Sequence, residues 1–219
     1  MSGELRIPPE IDLAAFISKE AHDLKSPFNR AIGFIKLVLD GFDGPIAEQA
    51  QEDLIVAHKN TQYTLTMMNA LVDIARLGRG ESEPILEPHS VNFILQQTIP
   101  EWTRKYHKKN QVAISISAPE IQIQADEIMI RQCFANWISY VNEFVQEAVS
   151  IQIRVEERPD AYLFTIRSSG SKRSEPPECD LTLYGFVARG ILELHQGVLL
   201  QLEEDDQGAL VQFSLPKSE

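Results

Sequence analysis

The first 80 residues carry two apolar seams whose members recur at steps of four and three. Ile17, Ala21, Leu24, Phe28, Ala31, Ile35 and Val38 form the first, and Leu54, Ala57, Thr61, Thr64, Met68, Leu71 and Ala75 the second. This is heptad spacing, which aligns the seam along one side of a helix. Between the seams, Asp40-Gly41-Phe42-Asp43-Gly44-Pro45 places two glycines and a proline where a helix must stop. The pattern predicts helices over about 11–39 and 47–77, each about 45 Å long at 1.5 Å per residue. One hairpin cannot bury both seams. Two copies can, as a four-helix bundle, so the pattern predicts a homodimer.

Gly78-Arg79-Gly80-Glu81-Ser82-Glu83-Pro84 reads as a linker. It divides the chain into residues 1–80, the hairpin, and 81–219, a second domain of different texture. In the second domain helices are expected over 90–107, 125–144 and 183–195. Strands are expected at 112–117, 149–156, 162–168, 198–203 and 209–215, the last four as two hairpins. Helices on one face of a mainly antiparallel sheet give an α+β sandwich.

Composition narrows the function. The chain has 20 Lys and Arg against 32 Asp and Glu, a net charge of −12. Nucleic-acid backbones need concentrated cations, so a nucleic-acid partner is not expected. Anionic membrane surfaces are disfavoured equally, and no apolar run reaches the roughly 20 residues of a membrane span. The start, MSGELRIPPEID, lacks the apolar stretch of a secretory signal. Cys133 and Cys179 have no metal-type spacing and read as free thiols of a cytoplasmic protein.

The chemistry concentrates at His22-Asp23-Leu24-Lys25-Ser26-Pro27. His22 lies one position off the seam residue Ala21 and so points to solvent. An exposed imidazole can carry a phosphoryl group, and the carboxylate beside it can orient the ring or take its proton. Ser26, Asn29, Gly33 and Lys36 follow at four, three, four and three residues and share the histidine's face. Gly33, with no side chain, lets a partner helix come close. Pro27 disturbs the helix near His22. The other histidines, His58, His89, His107 and His195, read as structural or solvated.

The segment HDLKSPFNRAIGF resembles the phosphoacceptor box of sensor histidine kinases, and about 200 of the 219 residues follow the texture of that family's core. The resemblance implies a dimerisation and phosphotransfer hairpin followed by a sandwich of the histidine-kinase ATPase type. It makes His22 the phosphoacceptor, Asp23 the acid that assists proton removal, and Ser26 the match to a residue that positions water for phosphatase action. Asn29, Gly33 and Lys36 become the docking face for a response-regulator receiver domain. The family's nucleotide motifs are altered. The second asparagine of the asparagine box is Tyr140, with Asn136 kept and Asn142 about 200° around the helix from Tyr140. The Asp-x-Gly-x-Gly box reads Ser168-Ser169-Gly170-Ser171-Lys172. The lid is short, Arg173 to Leu181, and the final glycine box reads Thr182-Leu183-Tyr184-Gly185. Tyr184 stands where backbone should approach phosphates.

Three functions follow from these residues. The first is a phosphorelay protein, a histidine phosphotransferase that shuttles phosphoryl groups between receiver aspartates through His22. It needs no cofactor of its own, because the receiver supplies Mg²⁺. Its partners would be a second copy, receiver domains and, as a further candidate, a sensor kinase. The second is a pseudokinase that binds receivers or kinases without carrying phosphate. The third is a divergent, active histidine kinase.

Overall fold

The computed structural model describes residues 12–78, 80, 83–106, 111–116, 121–145, 150–170, 181–205 and 208–217 of the 219-residue chain. Two compact units result, Met1–Ser82 and Glu83–Glu219.

The first unit is a helical hairpin of α1 (Leu13–Leu39) and α2 (Glu48–Gly78). Asp12 caps α1, its Oδ1 accepting from the Ala15 N–H at 2.9 Å. At the other end the Phe42 N–H reaches the Leu37 carbonyl and the Gly41 N–H the Val38 carbonyl, both at 3.1 Å. That pair is a Schellman closure, and it needs the left-handed φ of 82° that Gly41 supplies. The helix runs unbroken through Pro27.

The heptad seams divide in the structure. Ala21 on α1 and Met68 and Ala75 on α2 are buried within the hairpin. Ile17, Phe28, Ile35 and Val38 are half-buried, whereas Leu24 and Ala31 are exposed. Leu24 and Ala31 join Phe16 and Phe34 within about 80° around α1, a second apolar stripe on which Phe34 is 68% exposed. The polar seam members satisfy themselves. Thr61 and Thr64 donate to the carbonyls of Ala57 and Asn60 at 2.7 and 2.9 Å.

The second unit runs β1 (Glu87–Ser90), α3 (Val91–Tyr106), β2 (Gln111–Ile116), β3 (Gln122–Ala125), α4 (Glu127–Asn142), β4 (Ser150–Glu157), β5 (Ala161–Ser169), α5 (Leu181–Leu194), β6 (Val198–Asp205) and β7 (Gly208–Pro216). β2, β4, β5, β7 and β6 form one sheet in that order, antiparallel except for the β2–β4 pair. Every second residue of the central strands faces inward: Ile151, Ile153 and Val155, then Phe164 and Ile166, then Val211, Phe213 and Leu215, all buried. Phe134 of α4 meets this face, its ring 5.5 Å from Phe164 and 5.7 Å from Phe213, which stack on each other at 5.0 Å. The Trp102 indole N–H of α3 donates to Ser139 Oγ of α4 at 2.9 Å.

Three details depart from the sequence reading. β1 and β3 pair as a separate antiparallel ribbon. Each has four residues, and Glu-Pro-His-Ser carries no apolar alternation to announce a strand. Helix α4 starts at Glu127 rather than Ala125, because Asp126 is its cap and accepts from the Met129 N–H at 3.1 Å. It also stops at Asn142, short of Phe144. Strand β2 ends at Ile116, and Ser117 lies outside the described residues.

Candidate functional site

His22 projects from α1 with its side chain 82% exposed, as its off-seam position requires. Its Nδ1 lies 3.5 Å from Asp23 Oδ1. A proton on Nδ1 shared with that carboxylate leaves Nε2 with its lone pair toward solvent, the tautomer a nucleophilic imidazole needs. Pro27 has no N–H to give the Asp23 carbonyl, so the helix ladder lacks one bond one turn below the histidine. Ser26, Asn29, Gly33 and Lys36 are all exposed along the same side. A methyl group built on Gly33 would meet nothing within 4 Å. This face of α1 is open to an approaching surface.

The remaining histidines differ from His22. His58 is half-buried on α2, with an Nε2 that has no partner among the described residues. His89 sits on β1, 4.0 Å from a Glu127 carboxylate oxygen. His107 lies outside the described residues. His195 is 2% exposed and uses both ring nitrogens: Nδ1 donates to the Ile191 carbonyl at 2.7 Å, and Nε2 accepts from the Asp126 N–H at 3.0 Å. Asp126 Oδ2 accepts in turn from the Ile85 N–H at 3.2 Å. This junction of β1, α4 and α5 was invisible in the sequence, where Asp126 shows only as a helix cap.

In the second unit, the residues at the altered nucleotide motifs are engaged in packing. Tyr140 is buried on α4, between the rings of Trp137 at 5.9 Å and Phe144 at 5.3 Å. Its hydroxyl donates to Glu204 Oε1 on β6 at 2.8 Å. Burial, and then the Glu204 bond and charge, push the phenol's pKa up, so it stays protonated. Asn136 is half-buried, and Asn142 is fully buried at the end of α4.

Ser168 lies in β5, within the strand expected over 162–168, and is buried. Its Oγ accepts from the Ala209 N–H at 3.0 Å and faces the Ala209 carbonyl at 3.5 Å. The approach is so close that a Cβ on Gly208 (φ 152°) would lie 2.2 Å from the Ser168 carbonyl oxygen. Tyr184 is buried within α5, and Gly185 beside it packs against the Trp137 ring. Ser171, Lys172, most of the lid and Cys179 lie outside the described residues. Cys133 is a buried free thiol with its pKa pushed up by burial, which removes it as a nucleophile. Among the described residues no group of three or more His, Cys, Asp or Glu could hold a metal ion, and no helix is long and apolar enough to cross a membrane.

Helical hairpin plus five-stranded sandwich is an arrangement with solved counterparts. The histidine kinase AdeS of Acinetobacter baumannii superposes with a TM-score of 0.61 over 90% of this chain and 98% of its own, at 15% identity. Full-length ShkA, solved in complex with AMPPNP, gives a TM-score of 0.67 over 93% of this chain and 46% of its own, at 17% identity. The chain has the fold of a sensor histidine kinase core. Sequence similarity points the same way. The non-motile and phage-resistance protein of Caulobacter vibrioides is 21% identical over 228 residues, 92% of this chain and 27% of its own length. Sensor protein KdpD of Clostridium acetobutylicum is 20% identical over 215 residues, 90% and 24% respectively. This kinase-type core spans about a quarter of the length of these curated relatives. No family model matches it.

Proposed function

We propose that the protein acts in two-component signalling as a histidine phosphotransferase, taking a phosphoryl group from the aspartate of one receiver domain and passing it to another. The observation that carries this reading is the pairing of an open His22–Asp23 site with a nucleotide region whose marker positions are filled by Tyr140 and Ser168. In the transfer, His22 Nε2 attacks the phosphorus of the aspartyl phosphate. The bond between phosphorus and the carboxylate oxygen breaks, and the receiver's carboxylate leaves with the electron pair. Asp23 holds the Nδ1 proton of the imidazolium that forms. Ser26, a turn below, is placed to hold water against a phosphorylated ring. The receiver docks along Asn29, Gly33 and Lys36 and brings the Mg²⁺. The exposed stripe of Phe16, Leu24, Ala31 and Phe34 supports a homodimer.

A divergent kinase is the second reading. It is favoured by the relatives, which include histidine kinases, and by a structural neighbour that holds AMPPNP. Incubation with phosphorylated receiver domains separates the readings. The phosphotransferase acquires acid-labile label that His22→Ala lacks, and it takes none from Mg-ATP. Label from Mg-ATP establishes the kinase. Binding of receivers without label on His22, and unchanged in His22→Ala, leaves the pseudokinase.

A further inference from the structure

Beside His22, between α1 and α2, lies a cleft of about 320 Å³. Its floor is apolar, with Ala15 and the buried Val72. Its walls carry three cations: Lys19 and Lys25 from α1, and Arg76 from α2. Asp23 is the one acid among the lining residues, and it is the residue already turned to the His22 ring. Among the described residues none of the three cations is held in an ion pair. Three cations around one small concavity stand against a chain of net charge −12.

Helical spacing explains the grouping. Lys19, His22 and Lys25 are three residues apart on α1, so they form one ascending row. Arg76 lies in the last turn of the antiparallel partner, where a cation also meets the negative end of the helix dipole. An arginine offers a planar fork that matches two phosphate oxygens, and the two ammonium groups supply point charges.

We propose that this cleft is an oxyanion site that receives the phosphoryl oxygens carried on His22, with Lys19 and Arg76 as positioning residues. The inference rests on the phosphoacceptor reading of His22 and adds what holds the group there. A phosphoryl group on the ring brings about two negative charges at neutral pH, next to the Asp23 carboxylate. Lys19, Lys25 and Arg76 offset that repulsion.

Potassium phosphoramidate tests the site without receiver or ATP. The imidazole nitrogen attacks its phosphorus, the P–N bond breaks and ammonia leaves. Wild type is expected to label on His22, with His22→Ala blank. The rate should fall with added salt. Lys19→Ala/Arg76→Ala should label about ten-fold more slowly at low ionic strength, with a weaker salt dependence, while Arg76→Lys keeps most of the rate. Inorganic phosphate should compete with labelling in wild type and not in the double variant, which separates a free anion in the cleft from the ring-bound group. Both side chains are exposed, and unchanged helical circular dichroism confirms the hairpin. Equal labelling rates, salt dependence and phosphate competition in wild type and double variant overturn the cleft assignment. A cleft that behaves as expected in a protein that takes no phosphate from any receiver leaves the cleft standing and removes the phosphotransferase reading.

Discussion

Replacing Tyr140 by asparagine restores the residue that a nucleotide site would carry, and we expect it to weaken the protein without making such a site. Tyr140 is 6% exposed and wedged between Trp137 and Phe144, so removing most of the ring opens a void beneath β6. Large-to-small aromatic substitutions of this kind cost about 3 kcal/mol. Tyr140→Phe keeps the ring and removes only the bond to Glu204, which should cost about 1 kcal/mol. The assay is urea denaturation followed by tryptophan fluorescence. Trp102 and Trp137 are the chain's two tryptophans and are both buried in the second unit, so the signal reports that unit. Equal midpoints for wild type and Tyr140→Asn would show that the ring is not part of the packing. Titration calorimetry with Mg-ATP should show no saturable binding in wild type or Tyr140→Asn, because Ser168 remains locked to Ala209. Saturable binding tighter than about 100 μM, roughly −5.5 kcal/mol, would refute the reasoning. The raised phenol pKa adds a pH signature. The folded state keeps its proton where the unfolded chain, ionising near pH 10, has lost it. The Tyr140 contribution is therefore complete below about pH 10 and is lost as the pH rises toward the folded value. Tyr140→Phe should lack that alkaline limb.

Two other outcomes are expected. Wild type should scatter light as a dimer, and Leu24→Asp/Phe28→Asp should dissociate or unfold it; a stable folded wild-type monomer at micromolar concentration would refute the bundle. Gly33→Trp should keep the dimer and block transfer from a receiver, since the space above Gly33 is open in the hairpin; transfer at the wild-type rate would show that the docking face lies elsewhere.

The hairpin was legible because its signals are local. Heptad steps, two glycines and a proline all act within a few residues, and the helix ends fell within two residues of the expected positions. What the seam could not show was its own division between two surfaces. Leu24 and Ala31 share the spacing of Ile17 and Ala21, but the approach angle of α2 decides which are covered, and that angle depends on packing across the whole hairpin. The ribbon of β1 and β3 stayed hidden for a related reason. Pairing residues 87–90 with 122–125 gains its apolar contacts across 30 or more residues of chain, with only Ile123 and Ala125 buried in β3. At the candidate site, His22 and its neighbours were readable from helical spacing alone, whereas Arg76 joins them only through the return of α2.

The altered nucleotide motifs and the His22 face of the proposed phosphotransferase can coexist because they draw on different energetics. The sandwich is held by Phe134, Phe164, Phe213 and the buried β-branched residues of the sheet, none of which needs a ligand. On the phosphotransferase reading no nucleotide has to be accommodated, and positions at its site are free to take whatever stabilises the fold. Tyr140 gains ring contacts and the Glu204 bond, and Ser168 of β5 satisfies the Ala209 backbone of β7 where the approach leaves no room for a side chain at position 208. His22 has no such freedom to improve packing. It is exposed, its one polar side-chain contact among the described residues is Asp23, and replacing it should cost the hairpin little. On the proposed reading, chemistry at the ring beside a cleft of three cations, rather than packing, accounts for this residue.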